Sequence, residues 1–119
     1  MKSKPITAGL HNLTDYAFGI TLMTVPNLIG ANADAIKIYR ILAIEIFLYS
    51  AFTKQPYAIK PLIPMHVHRK IDIGNLTMLG LLHFYREINR DKRTSLFNIG
   101  MIALGMTTVL LTDWTRGKR

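Results

Sequence analysis

Residues 94–112 read TSLFNIGMIALGMTTVLLT, nineteen positions without a charge. At a rise of about 1.5 Å per residue such a run covers the roughly 30 Å hydrocarbon core of a bilayer, so the stretch predicts a spanning helix. Arg90, Lys92 and Arg93 stand before it and Arg116, Lys118 and Arg119 after it, where cations suit phospholipid headgroups. Working back along the chain, Tyr16 to Ala33 is a second uncharged run, lying between Asp15 and Asp34. Pro26 inside it frees the carbonyl of Leu22, which a membrane helix tolerates when neighbours re-satisfy it. Lys2 and Lys4 ahead of a stretch ending in Ala31-Asn32-Ala33 have the outline of a signal peptide, but Asp15 is foreign to one, and the stretch reads as a span.

Two weaker runs lie between. Ile41 to Thr53 carries Glu45 and has an amphipathic lead around Lys37 and Arg40, whose heads can snorkel to an interface. Ile73 to Tyr85 carries Asn75 and His83. Pro56, Pro61 and Pro64 break the helical pattern between them. The expected fold is therefore all-α: four short transmembrane helices over about 16–33, 36–53, 72–85 and 94–112, forming a single domain over 1–119. Segments one and four lack the polar face that a soluble bundle requires. Four spans put both termini on one side with nine cations against six, which favours the cytoplasm for both.

Composition excludes several chemistries. The chain has 119 residues, 50% hydrophobic and 18% charged, a net charge of +8 and no cysteine. Thiolate metal sites, iron–sulfur clusters, disulfides and a cysteine nucleophile are all removed. The positive charge flanks apolar runs instead of forming a nucleic-acid face, so the expected partners are lipid and other membrane subunits or further copies, with no nucleic acid. Ser3, Ser50 and Ser95 sit in no glycine elbow and beside no histidine, which disfavours hydrolase chemistry. Gly74, Gly80, Gly100 and Gly105 fall inside helices, not at phosphate-binding turns. Gly100, Ala103, Gly105 and Thr107 make the last helix narrow enough for close packing.

Two polar constellations remain. Counting depth from the flanking cations, Glu45 lies about 7 Å beyond Arg40, His83 and Asn98 enter from the same side, and Asn27 approaches it from helix one. Asn27, Glu45, His83 and Asn98 thus form an expected polar layer, either a packing device or a proton path with Glu45 as acceptor and His83 as its partner. The second constellation repeats: His11-x-x-x-Asp15 stands before the first run and His68-x-x-x-Asp72 before the third, at one offset that also matches Leu22 to Leu79. The spacing suggests a parallel two-fold repeat pairing helices one with two and three with four. Within helices, these residues offer two imidazoles and two carboxylates to a divalent metal, with His66 as a further ligand. Asp15 and Asp72 as N-caps would instead leave each histidine out of register. A haem would need His11 and His68 as its axial pair.

Asp15-Tyr16, Gly19, Leu22, Pro26 and Leu28-Ile29-Gly30 resemble the pattern of bacterial SPW-repeat membrane proteins, with Val25-Pro26-Asn27 where that family carries Ser-Pro-Trp. The resemblance implies a paired-helix repeat in a bacterial inner membrane and no defined activity. The expected function is that of a non-enzymatic accessory or structural subunit of a membrane assembly. A small proton-linked transporter or channel subunit, and a haem- or quinone-associated redox subunit, are the alternatives.

Overall fold

The computed structural model describes residues 4–114. Lys2, Arg116, Lys118 and Arg119, which enter the charge count, lie outside the described residues. Helix α1 covers Ala8–Leu28, α2 Ala33–Ala51, α3 Met65–Leu82, the short α4 Arg86–Asn89, and α5 Lys92–Leu111. Thr7 caps α1 by accepting from the Leu10 N–H, and Asn32 caps α2 by accepting from the Ala35 N–H. Between them Gly30 takes the left-handed conformation at φ 73°, which closes the connection.

The four-span fold is corrected by these helix limits. Among the described residues only α5 is long and apolar enough to cross a membrane. Helix α1 begins at Ala8, not Tyr16, and so takes in His11, Asn12 and Asp15. Helix α2 includes Asp34, Lys37, Arg40 and Glu45, and α3 includes His66, His68, Arg69, Lys70 and Asp72. The apolar runs seen in the sequence are parts of longer helices whose remaining turns are charged. A transmembrane four-helix bundle is therefore not supported; the described residues form five helices in a body of 44 × 29 × 20 Å.

Helix α1 packs along α2, and α3 along α5. Leu22, Ala35, Tyr39, Ala43, Ile46, Leu79, Ile88 and Met101 form the core. Close approach depends on Gly19 and Gly105. A Cβ on the first would meet the Phe47 ring at 2.6 Å, and one on the second would meet Leu76 Cδ2 at 2.5 Å. Gly100, expected to serve the same purpose, faces open space.

Two isolated parallel bridges tie the halves together. Ile6 pairs with Thr112: the Ile6 N–H donates to Leu111 O at 3.1 Å and the Asp113 N–H to Ile6 O at 2.8 Å. Ile63 pairs with Thr53 in the same way, through Ile63 N–H to Phe52 O at 2.7 Å and Lys54 N–H to Ile63 O at 2.8 Å. Each bridge joins the residue leading into one helical pair to the residue ending the other. Thr53 and Thr112 are thereby delivered to equivalent places beside the first turns of α3 and α1.

Much of what is buried is polar. His11, Asn12, Asp15, Ser50, Thr53, His68, Asp72, Thr94, Asn98 and Thr112 are buried, while Leu13, Ile20, Ile44, Leu48, Leu81, Leu96, Leu104 and Leu110 are exposed. Water-soluble domains bury their large apolar residues first; here large apolar residues face outward on four helices while polar groups fill the interior.

Candidate metal centre

Both His-x-x-x-Asp pairs lie inside helices, so each histidine stands above its own aspartate on one face. Neither aspartate is a cap; Thr7 and Pro64 hold those positions. Burial decides between the two roles. A carboxylate on the inward stripe of α1 or α3 must be matched by a donor, and the partner half supplies one.

The two pairs interlock. His11 Nε2 lies 3.3 Å from Asp15 Oδ1 and 3.0 Å from Asp72 Oδ2. His68 Nε2 lies 2.9 Å from Asp15 Oδ2 and 3.3 Å from Asp72 Oδ2. The two Nε2 atoms are 3.3 Å apart, and one ligand atom from each of the four residues falls within 4.8 Å of all the others. Donors at about 2.0–2.1 Å from a tetrahedral metal are separated by about 3.3–3.4 Å, a spacing that the two Nε2 atoms, 3.3 Å apart, already have. His66 is exposed and takes no part.

The surrounding hydroxyls determine which imidazole nitrogen carries hydrogen. Thr53 Oγ1 donates to Tyr49 O at 2.6 Å, and Thr112 Oγ1 donates to Thr108 O at 2.5 Å. A hydroxyl has one hydrogen, so each threonine can only accept from its histidine. His68 Nδ1–H therefore donates to Thr53 at 2.7 Å, and His11 Nδ1–H to Thr112 at 2.8 Å. Both Nε2 atoms are left facing two carboxylates. A bare lone pair there is repelled, so each Nε2 must carry a proton or share a cation.

Other groups complete the surround. Tyr49 donates to Asp72 Oδ1 at 2.5 Å and accepts from Asn75 at 3.0 Å, and Ser50 donates to Asp15 Oδ2 at 3.2 Å. Trp114 closes one side, its ring 4.8 Å from that of His11, with the Arg69 guanidinium 6.0 Å over it.

The proton balance follows from the same contacts. Burial alone would lower the His11 pKa, but hydrogen bonds and charge from Asp15 and Asp72 outweigh it and raise it to about 9. His68 is raised by the same opposition. For Asp72, burial pushes upward and the bonds to His11 and His68 win, holding it at about 2. Burial, then the charges of Asp72 and Asp15, push the Tyr49 hydroxyl well above its ordinary value, so it stays a donor.

The expected polar layer is not assembled. Asn27 is exposed and bonds back to Met23 O at 3.1 Å, and Glu45 is exposed on its helix. His83 caps the end of α3, with a buried Nδ1 that has no hydrogen-bond partner. Only Asn98 is fully buried, accepting from Tyr39 at 2.7 Å and donating to Leu79 O at 3.0 Å. No hydrogen bond joins any two of the four among the described residues. Nor do His11 and His68 present a haem axial pair, whose nitrogens would stand about 4 Å apart across a porphyrin plane.

Sequence reasoning missed Ser50, Thr53, Thr112 and Trp114. A signal existed for two of them: Ile6 and Ile63 share the offset of the histidine pair, and Thr53 and Thr112 end the two apolar runs. No known family, curated protein or solved structure matches the chain.

Proposed function

We propose that this chain is a small membrane-attached protein that holds one divalent transition metal between its helices, through His11, Asp15, His68 and Asp72. The observation that carries the reading is the commitment of both threonine hydroxyls. It points two Nε2 lone pairs at one spot between two carboxylates, with each other ring nitrogen anchored, as outer-shell partners anchor metal-bound imidazoles. Mixed imidazole and carboxylate donors suit zinc and its first-row neighbours. In the metal-free protein the same two positions hold protons, so metal and protons compete.

Membrane attachment is supported by α5 and by the apolar surface exposed on α1, α2 and α3. The role is one of binding: an accessory component that acts by association and carries its metal where the two helical pairs meet.

The test is metal titration of chelator-treated protein in mild detergent. One Co²⁺ or Zn²⁺ per chain is expected, with affinity falling by more than about a hundredfold in His68→Gln or Asp72→Asn, beyond the 10–100-fold typical of outer-shell changes. Wild-type protein that takes up no metal, or variants that bind it equally well, would sink the reading.

A further inference from the structure

A cavity of about 40 Å³ lies against the cluster, between α1, α2, α3 and α5. His11, Asp15 and Asp72 contribute to its wall, and His68 and Trp114 do not. Phe18, Ile46, Leu76, Leu79 and Val109 supply most of the remaining lining, with Thr14, Asn75 and Thr108 as polar interruptions. Its volume is that of about three water-sized spheres, and carboxylate and hydroxyl groups give a small polar guest partners. The missing side chain of Gly105 keeps it open, since Leu76 already approaches to 2.5 Å from where a Cβ would stand.

A structural metal site is closed on all sides by protein, whereas a working one keeps a position free. Here Asp15 reaches the two histidine nitrogens through different oxygens, Oδ1 to His11 at 3.3 Å and Oδ2 to His68 at 2.9 Å, and one ligand atom from each of the four residues lies within 4.8 Å of the others. The cavity touches both carboxylates, which leaves the cluster an edge that protein does not cover. We infer that the metal centre is open on this edge: an ion bound by His11, Asp15, His68 and Asp72 takes a fifth, exchangeable ligand from the cavity, a water or a small anion of two or three atoms. This rests on the metal-binding reading above and assigns the site a ligand class.

The experiment uses the full chain in detergent, loaded with Co²⁺, whose visible spectrum reports coordination number. Azide is the probe. A saturable one-to-one spectral change is expected, with cobalt still bound on equilibrium dialysis. Gly105→Ala, which drives Leu76 into the cavity, should retain one cobalt and weaken azide binding at least tenfold. Leu76→Phe is the second filling variant, to be used if the first does not fold. A cobalt spectrum indifferent to azide would overturn the inference and leave the metal site standing. So would an azide response unchanged by either filled cavity, or azide that only strips the metal. Failure to bind cobalt at all would remove the metal site itself and the inference with it.

Discussion

Two polar sets are buried between these helices, and they stay buried for different reasons. The His11, Asp15, His68 and Asp72 cluster gathers formal charges whose every member needs another. The Tyr39, Asn98 and Leu79 carbonyl set is neutral and closed, one hydroxyl and one amide satisfying each other and one backbone oxygen. The neutral set can only hold helices together, whereas the charged set, on the proposed reading, holds either protons or a metal at its centre. That contrast can be broken by experiment.

The largest effect is expected from truncating the charged set. Asp72→Ala leaves two imidazoles sharing one carboxylate in a buried site, and removing one partner of a buried ionic group costs about 3–5 kcal/mol. Asn98→Ala leaves the Tyr39 hydroxyl without its acceptor, at about 1–3 kcal/mol, while Leu79 O keeps its bond from the His83 N–H at 3.2 Å. Denaturant unfolding in detergent measures both. Equal losses would show that the cluster is no more strongly coupled than a neutral hydrogen-bonded pair.

The two sets also differ in how far the sequence discloses them. The His-x-x-x-Asp repeat is visible at once, because a shared offset survives without knowledge of the fold. What hides its role is that Asp15 and Asp72 stand where caps are favoured, and only a partner from the other half makes an interior carboxylate tolerable. The expected layer of Asn27, Glu45, His83 and Asn98 fails for a simpler reason: depth was counted and rotation was not. The buried stripe of α1 runs through Asp15, Gly19, Leu22 and Pro26, and Asn27 is one step off it, about 100° round the helix. Glu45 likewise falls one step short of Ile46 on the buried stripe of α2. Asn98 sits on the line from Thr94 to Met101 and is the one member that turns inward. The four apparent spans arise because each apolar run is part of a longer helix, and in α1 and α3 the continuing turns carry the buried His11, Asp15, His68 and Asp72.

Acidity separates the sets next. His11 is raised from 6.5 to about 9, so the stability it contributes to metal-free protein is complete below pH 6.5 and is lost as pH climbs through 9. Asp72 is lowered from 3.8 to about 2, so its contribution is present above 3.8 and is lost as pH falls through 2. The thermal midpoint of chelated protein should therefore be highest between these limits and fall between about pH 6.5 and 10. Burial raises the Tyr39 hydroxyl further above its ordinary value, so the neutral set does not titrate there. The midpoint difference between wild type and Asn98→Ala should be flat across that window. A flat wild-type profile would mean that the histidines are not paired as described.

The smallest effects come from a matched pair of hydroxyl deletions. Tyr49→Phe removes the donor to Asp72 Oδ1 and the acceptor of Asn75, while Tyr39→Phe removes only the donor to Asn98. A hydrogen bond to a charged group contributes about 1.5–3 kcal/mol and one between neutral groups about 0.5–1.5, so Tyr49→Phe should be the more destabilising by roughly 1 kcal/mol. Metal affinity separates them more cleanly. Tyr49 donates to a carboxylate of the proposed metal site, so its loss should weaken Co²⁺ binding by about 10–100-fold, whereas Tyr39 touches none of the four proposed ligands and its loss should leave affinity unchanged. If both variants bind cobalt like the wild type, Asp72 is oriented without help from Tyr49. If both weaken it alike, the two buried sets are one coupled network, and the division between a neutral fastening and an exchangeable centre does not hold.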